Sequence, residues 1–258
     1  MDLRSAALSF IAFGAFVGAD LASAEERASA PPARHIGIGA RVAWMPEFPG
    51  SDSSEALLLP AFDMSRGRLF LNGDGLGVRL LDRNGLSMTA SLSADLLHRK
   101  QSAAPHLTGM GDVDRTAVAI LKSVYRFEAW QVAGALITDV ADEGHGTAVE
   151  LSVLRSVMLT ARLSLHAGAL VRWINDEHAD TFFSVDAEQS ARTGLPMHRV
   201  GSGLSEARIL LRANYVLAPR WILSTGAAWA ELQGDAADSP IVEEDGAPSL
   251  DAVLIYRF

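Results

Sequence analysis

The chain contains no cysteine. Disulfide stapling is excluded, and so is anchoring through a lipidated thiol, so an exported form would be held in place by its fold alone. Also missing beyond the N-terminus is any charge-free apolar run of about eighteen residues, which leaves a helical membrane span unsupported. This holds although 49% of the residues are hydrophobic. Positive charge is short as well: 22 Lys and Arg against 31 Asp and Glu give a net charge of -9. A nucleic-acid binder needs a cationic stripe to displace counterions, so that class is set aside. No Gly-x-Ser-x-Gly elbow occurs, and His98, His106, His145, His178 and His198 share no metal-ligand spacing. The expectation is a protein with no enzymatic activity and no cofactor.

What is present begins with an export signal. Arg4 supplies a positive residue, Ala6 to Val17 an apolar core and Ala22-Ser23-Ala24 a small-x-small cleavage site. Residues 1–24 are predicted to be a signal peptide and 25–258 a single barrel domain.

From Ile36 onward the dominant signal is alternation with period two. Leu86, Met88, Ala90, Leu92, Ala94 and Leu96 alternate with Ser87, Thr89, Ser91, Ser93 and Asp95. Leu163, Leu165, Ala167, Ala169, Val171 and Trp173 form one row, and Ile209, Leu211, Ala213 and Tyr215 another. At the C-terminus Leu250, Ala252, Leu254, Tyr256 and Phe258 alternate with Asp251, Val253, Ile255 and Arg257. Segments of roughly ten residues with one unbroken apolar row are the signature of a transmembrane β-barrel. Trp221 and Trp229 share a face; at the strand rise and the usual tilt they stand ~20 Å apart in height, close to the spacing of two interfacial aromatic girdles. Trp130, Trp173, Tyr215, Tyr256 and Phe258 are further girdle candidates.

The fold expected is all-β, an antiparallel transmembrane barrel of twelve strands, with ten as the alternative. If the first strand runs outward, the connections at 64–67, 82–85, 128–129, 157–160 and 217–220 are short and periplasmic. Those at 46–54, 97–114, 174–205 and 233–248 are long and external, which is the asymmetry such barrels show. Both termini then lie in the periplasm of a Gram-negative cell, and outer-membrane lipid and lipopolysaccharide surround the wall.

Loop stretches carry a resemblance over almost the whole mature chain. Phe48-Pro49-Gly50-Ser51-Asp52, Leu58-Leu59-Pro60, Gly67-Arg68-Leu69-Phe70, Gly75-Leu76-Gly77, Gly109-Met110-Gly111-Asp112-Val113-Asp114, Gln189 to Pro196 (with Arg192 and Gly194), Gly234 to Val242 (with Asp238 and Pro240) and Tyr256-Arg257-Phe258 stand in an order and spacing similar to the MltA-interacting-protein/OmpV family of outer-membrane proteins. The resemblance implies an outer-membrane barrel that scaffolds a murein transglycosylase and a murein synthase; other members are adhesins or porin-like. It implies no catalytic residue. The motif residues Gly50, Ser51, Asp52, Gly111, Asp112, Arg192, Gly194, Pro196, Asp238 and Pro240 are read as loop-shaping.

With the polar rows inward, Asp95, Lys122, Arg126, Glu150, Arg162, His166, Arg172, Arg208, Arg212, Asp251 and Arg257 face the lumen. Such charges must pair or be hydrated. An ionic plug is the first reading, and an anion-favouring channel lined by arginine the second. Ser164 and His166 share a face without a third partner, and the acidic run from Asp235 to Asp245 lacks calcium-loop spacing. Scaffold, small channel and surface adhesin acting through the long loops remain the three functional classes.

Overall fold

A computed structural model describes residues 34–258. The predicted signal peptide and its cleavage site lie outside the described residues. Twelve strands close into one antiparallel barrel, each paired with its neighbours in chain order and the last with the first. They are β1 (His35–Pro46), β2 (Ser54–Arg66), β3 (Leu69–Asn72), β4 (Gly75–Arg83), β5 (Leu86–Asp95), β6 (Thr116–Phe127), β7 (Trp130–Asp139), β8 (Thr147–Thr160), β9 (Leu163–Ile174), β10 (Gly203–Ala218), β11 (Trp221–Leu232) and β12 (Gly246–Arg257). Two short helices, α1 (Asp176–Phe182) and α2 (Ala187–Thr193), sit in the connection between β9 and β10.

The twelve-strand count is the one expected. At one end, here the turn end, two-residue connections join β2 to β3, β4 to β5, β6 to β7, β8 to β9 and β10 to β11. Asn84 and Gly85 show why so little chain suffices. Both adopt positive φ, 53° and 80°, the backbone of a tight hairpin turn whose twist matches that of its strands. The opposite, loop end carries the connections 47–53, 96–115, 140–146, 175–202 and 233–245, together with the short β3–β4 turn.

Alternation puts apolar residues outside and polar ones inside, the reverse of a soluble domain. On β10, Ile209 and Leu211 are 64% and 49% exposed while Leu210 between them and Arg212 and Asn214 beyond them are buried. The seam pairs β1 with β12 from Gly37↔Arg257 to Trp44↔Leu250. At Gly39 a Cβ would fall 1.8 Å from the Leu254 carbonyl oxygen, so the closing strands approach where only glycine fits.

The loops at the loop end are not loose. Phe48, Ala104, Leu107, Met110, Val185 and Ile241, from four separate connections, form a buried cluster. A second packs Ala179, Phe182, Phe183, Val200 and Ala236 onto Ala148, Ile174 and Leu232 at the strand tops. α1 starts at Asn175, whose side chain accepts from the His178 N–H. α2 starts with a capping box between Asp186 and Gln189 and ends at Gly194 in left-handed conformation, φ 78°. α1 contributes Ala179 and Phe182 to the second cluster, whereas α2 buries no side chain.

Candidate functional site

The lumen is the natural place to look, because the chain has buried its ionisable side chains there. Asp251 on β12, Gly226 on β11 and Arg212 on β10 stand in one register row. Gly226 projects no side chain, so Arg212 reaches across β11 to Asp251 at 2.8 Å. Arg41 approaches the same carboxylate from β1 at 3.7 Å, and Arg212 also donates to the Ser224 hydroxyl at 2.7 Å. Nearer the loop end, Arg172 of β9 meets Glu150 of β8 at 3.3 Å, and Arg208 meets Glu206 at 2.5 Å. These belt residues are four arginines facing three carboxylates, with Asp95 close to Arg172. Leu210, between Arg208 and Arg212 on β10, joins Leu154, Leu170 and Ala228 in an apolar layer that fills the space between the two sets of charges. Buried ions of one sign would be costly, whereas matched ones hold the strands in register.

Lys122 belongs to a different region, where it binds Asp74 of the β3–β4 turn at 2.8 Å. His166 lies near the turn end among hydroxyls and an amide: Ser156 at 2.8 Å, Ser164 at 3.2 Å and Asn214 at 3.0 Å. No carboxylate orients it. Asp95, Lys122, Glu150, Arg172, Arg212 and Asp251 are buried and Arg208 and His166 partly so, all on inward rows. Arg162 is one exception and corrects the expectation. It occupies the two-residue turn between β8 and β9 and is exposed, because β9 begins only at Leu163.

Above the belt, a cavity of about 120 Å³ is walled by Met45, Phe48 and Leu96 on one side and Arg172, Glu206 and Arg208 on the other. The packed loops roof it. His178 of α1 is buried there, its ring tilted by 34° against that of Phe182, and its Nδ1 donates to the His145 carbonyl at 2.7 Å. Burial, with Arg172 nearby, pushes the His178 pKa down to about 3. Burial also opposes charge on His145, but the Asp95 carboxylate at 3.0 Å and the Asp114 carbonyl at 2.7 Å outweigh it and raise its pKa. Arg99, lowered to about 10 by burial, donates to the Phe182 carbonyl at 3.1 Å and ties the 96–115 loop to α1.

The loop-motif residues mostly shape this roof. Gly50, φ 89°, accepts from Glu243 and Glu244 N–H groups through its carbonyl at 2.7 and 3.1 Å. Ser51 is buried, and Asp52 receives the Ser53 hydroxyl at 2.9 Å. Gly111 takes positive φ, and Asp112 accepts from Gln101 N–H and pairs with Lys100. Arg192 donates to the Gly109 carbonyl at 2.9 Å. Pro196 follows the Gly194 cap, and the Asp238 to Val242 segment lowers Ile241 into the apolar cluster. The acidic run is therefore partly folded into the cap rather than wholly solvated.

The aromatic candidates occupy outward rows at the two strand ends. Trp130, Tyr215, Trp221, Tyr256 and Phe258 ring the turn end, and Trp173 and Trp229 the loop end. Sequence reasoning missed Trp44 at the loop end and Tyr125 and Phe127 at the turn end, all exposed. It also missed a set of exposed arginines at the turn end, Arg66, Arg68, Arg83, Arg155 and Arg220, with Asp82 and Glu128 the exposed acids beside them among the described residues, and it placed Arg126 and Arg162 in the lumen although both are exposed at that end. Arg155 lies over the Trp130 ring at 5.6 Å, and Arg220 donates to the Tyr256 hydroxyl at 3.0 Å. All but Arg155, which lies within β8 opposite Trp130, stand in or within two residues of a two-residue turn.

A family model described as MltA-interacting protein MipA matches residues 38–258, nearly the whole barrel. The chain belongs to the MipA family. Among its relatives, the MltA-interacting protein of Escherichia coli K12 is 23% identical over 256 residues, covering 97% of this chain and 99% of that one. YiaT of Escherichia coli K12, whose name describes it as an outer membrane protein, is 26% identical over 181 residues, 69% of this chain and 71% of its own. A solved outer membrane channel from Pseudomonas putida F1 shares 12% identity at a TM-score of 0.47, over 89% of this chain and 97% of that one. The fold of this MipA-family chain is an outer-membrane-type β-barrel with ionic side chains on its inward rows.

Proposed function

We propose that this MipA-family protein spans the outer membrane with its turn end and both termini in the periplasm, and acts there as a non-enzymatic scaffold for peptidoglycan-remodelling enzymes. The partner class, a murein transglycosylase and with it a murein synthase, follows from the relative named for interaction with MltA. Short connections on the periplasmic side agree with the habit of outer-membrane barrels. Lipid meets the apolar band and its girdles, and the capped loop end lies among lipopolysaccharide.

The observation that carries the reading is the division of charge. The lumen charges neutralise each other at 2.5 to 3.7 Å, which leaves the end faces as working surfaces. Among the described residues, the exposed arginines at the turn end outnumber the exposed acids. Guanidinium groups grip carboxylates through paired hydrogen bonds, so this rim suits a partner with an acidic face, although each turn is only two residues long.

The test is binding of a murein transglycosylase to the folded, immobilised barrel. Reversing Arg66, Arg68 and Arg83 to glutamate should abolish binding, while Arg192→Glu at the loop end should leave it intact. Binding indifferent to both would overturn the assignment of the face. One feature favours a second reading, a solute channel: the cavity beside Arg172 and Arg208. Steady single-channel current that Arg208→Ala alters in ion selectivity would establish that reading instead.

A further inference from the structure

The cavity above the ionic belt has a largely apolar wall. Met45 and Phe48 come from the end of β1 and the connection after it, Leu96 and Ile137 from the tops of β5 and β7, Phe183 from behind α1 and Leu232 from the end of β11. All six are buried. At about 120 Å³ the space approaches the ~150 Å³ of an apolar cavity that admits one benzene ring. A ligand body of about one aromatic ring is therefore the size that fits.

The charges bordering this space do not cancel. Arg172 is matched by Glu150 at 3.3 Å and Arg208 by Glu206 at 2.5 Å, while Asp95 is taken by His145 at 3.0 Å. Three more carboxylates line the cavity, Glu47 from the connection after β1 and Glu244 and Asp245 from the connection before β12. None of the three has a side-chain partner among the described residues. Their backbones are nevertheless fixed: the Glu47 and Glu244 N–H groups donate to the Ser53 and Gly50 carbonyls, both at 3.1 Å, and the Asp245 carbonyl accepts from Leu232 at 2.7 Å. Glu47 is half-buried and the other two are exposed, so they mark where the cavity reaches the surface. The mouth is left negative.

The far wall holds an unsatisfied acceptor. α1 packs on Ala148 at the top of β8, four strands round the barrel from β12, and from it His178, 3% exposed, lines the cavity. Its Nδ1 donates to the His145 carbonyl, so the neutral ring carries its lone pair on Nε2. Nε2 has no hydrogen-bond partner among the described residues. A buried acceptor left unmade is costly. With a pKa near 3 the ring stays neutral at ordinary pH, and a ligand donor is what would satisfy it. Carboxylates at the mouth and a lone pair opposite call for N–H or O–H donors and a positive charge.

We propose that this cavity binds a small aromatic amine, with the ammonium among Glu47, Glu244 and Asp245, the ring on the apolar wall and a ring hydroxyl donating to Nε2 of His178. Ammonium–carboxylate contacts supply charge-assisted hydrogen bonds, and the ring covers apolar surface that water would otherwise wet. The site goes beyond the scaffold role and lies at the opposite end of the barrel from the arginine rim.

Tyramine is the probe, titrated calorimetrically into the folded barrel in lipid nanodiscs, with empty nanodiscs as the blank for partitioning into lipid. Hydroxyphenylacetate, the same ring with a carboxylate in place of the amine, is the companion. Two variants are compared: the double substitution Glu47→Gln, Asp245→Asn removes charge at the mouth, and Ala247→Leu fills the cavity from its β12 wall. Each is first checked for the heat-modifiable mobility of a folded barrel, and Ala230→Leu replaces Ala247→Leu if the latter does not fold. The expected result is saturable binding of one tyramine per barrel, weakened at least about tenfold by either variant, the worth of one charge-assisted hydrogen bond. Hydroxyphenylacetate should give no saturable heat. Binding of hydroxyphenylacetate as tight as that of tyramine would overturn the site, since the arginines would then govern the cavity. So would the absence of saturable tyramine binding, or binding that both variants leave unchanged.

Discussion

Replacing Asp251 with Asn tests whether the lumen is held by its charges. Asp251 is 6% exposed and receives Arg212 at 2.8 Å and Arg41 at 3.7 Å. The substitution keeps the shape and removes the negative charge that both guanidiniums approach. Removing one partner of a buried pair costs about 3–5 kcal/mol; with two guanidiniums affected, a loss of at least ~3 kcal/mol is expected. Urea titration of the barrel in lipid vesicles, followed by tryptophan fluorescence and by heat-modifiable mobility, reads this as a lowered midpoint. The companion variant Arg41→Met, Asp251→Leu, Arg212→Met replaces the cluster with apolar side chains of similar volume and should recover most of the loss. A cost for Asp251→Asn below about 1 kcal/mol, the value of a solvent-exposed pair, would refute the reasoning, since it would mean that water already solvates the belt.

Gly226→Leu should mimic that loss without touching a charge, because its side chain would stand between Arg212 and Asp251; an unchanged midpoint would show that the pair does not need the gap. On the lipid face, Leu211→Arg should impair folding by ~2–4 kcal/mol, whereas Leu163→Arg, level with Tyr215 of the girdle, should cost about 0–1 kcal/mol; equal losses in vesicle folding would contradict the assigned depths. Acid should loosen the cap through His178. Its folded pKa near 3 lies below the ordinary 6.5, so the unfolded form binds the extra proton and stability falls as pH drops from about 6.5 toward 3. His145 acts in the opposite sense, its raised pKa giving stability below pH 6.5 that is lost as pH rises through the folded value. Amide exchange of residues 176–182 at pH 7 and pH 5 should show faster opening at pH 5, and His178→Gln should remove that dependence.

Legibility in the sequence followed the strength of the period. Rows such as Leu86 to Leu96 name their own faces, and the strand count followed from them, because a two-residue repeat carries over directly into inside and outside. Boundaries were less exact where the repeat runs into a turn, and Arg162 illustrates this: its parity matches His166, yet the chain has already left the sheet. α1 and α2 are too short for a helical period to register. Their signals were caps, Asn175 and the Asp186-x-x-Gln189 box ending at Gly194, of which only Gln189 and Gly194 fall in a stretch noted for its resemblance. The ion pairs could not be read from one strand at a time, since Arg212 and Asp251 meet only across Gly226 of a third strand. The brevity of β3 was invisible for a similar reason, since its four residues look like any short strand until their pairing shows that they meet only Met64, Ser65 and Arg66 of β2.

The cap changes how the outer face of this barrel can vary. Connections between barrel strands are usually separable, each free to lengthen or change without consulting the others. Here Phe48, Leu107, Val185 and Ile241 come from four different connections and bury one another, while Arg99 from one is fastened to Phe182 of another. A graft into any one of them strips apolar cover from the other three. Exchange between relatives should succeed when the four connections travel as a set, and the face presented to the outside is inherited as a unit.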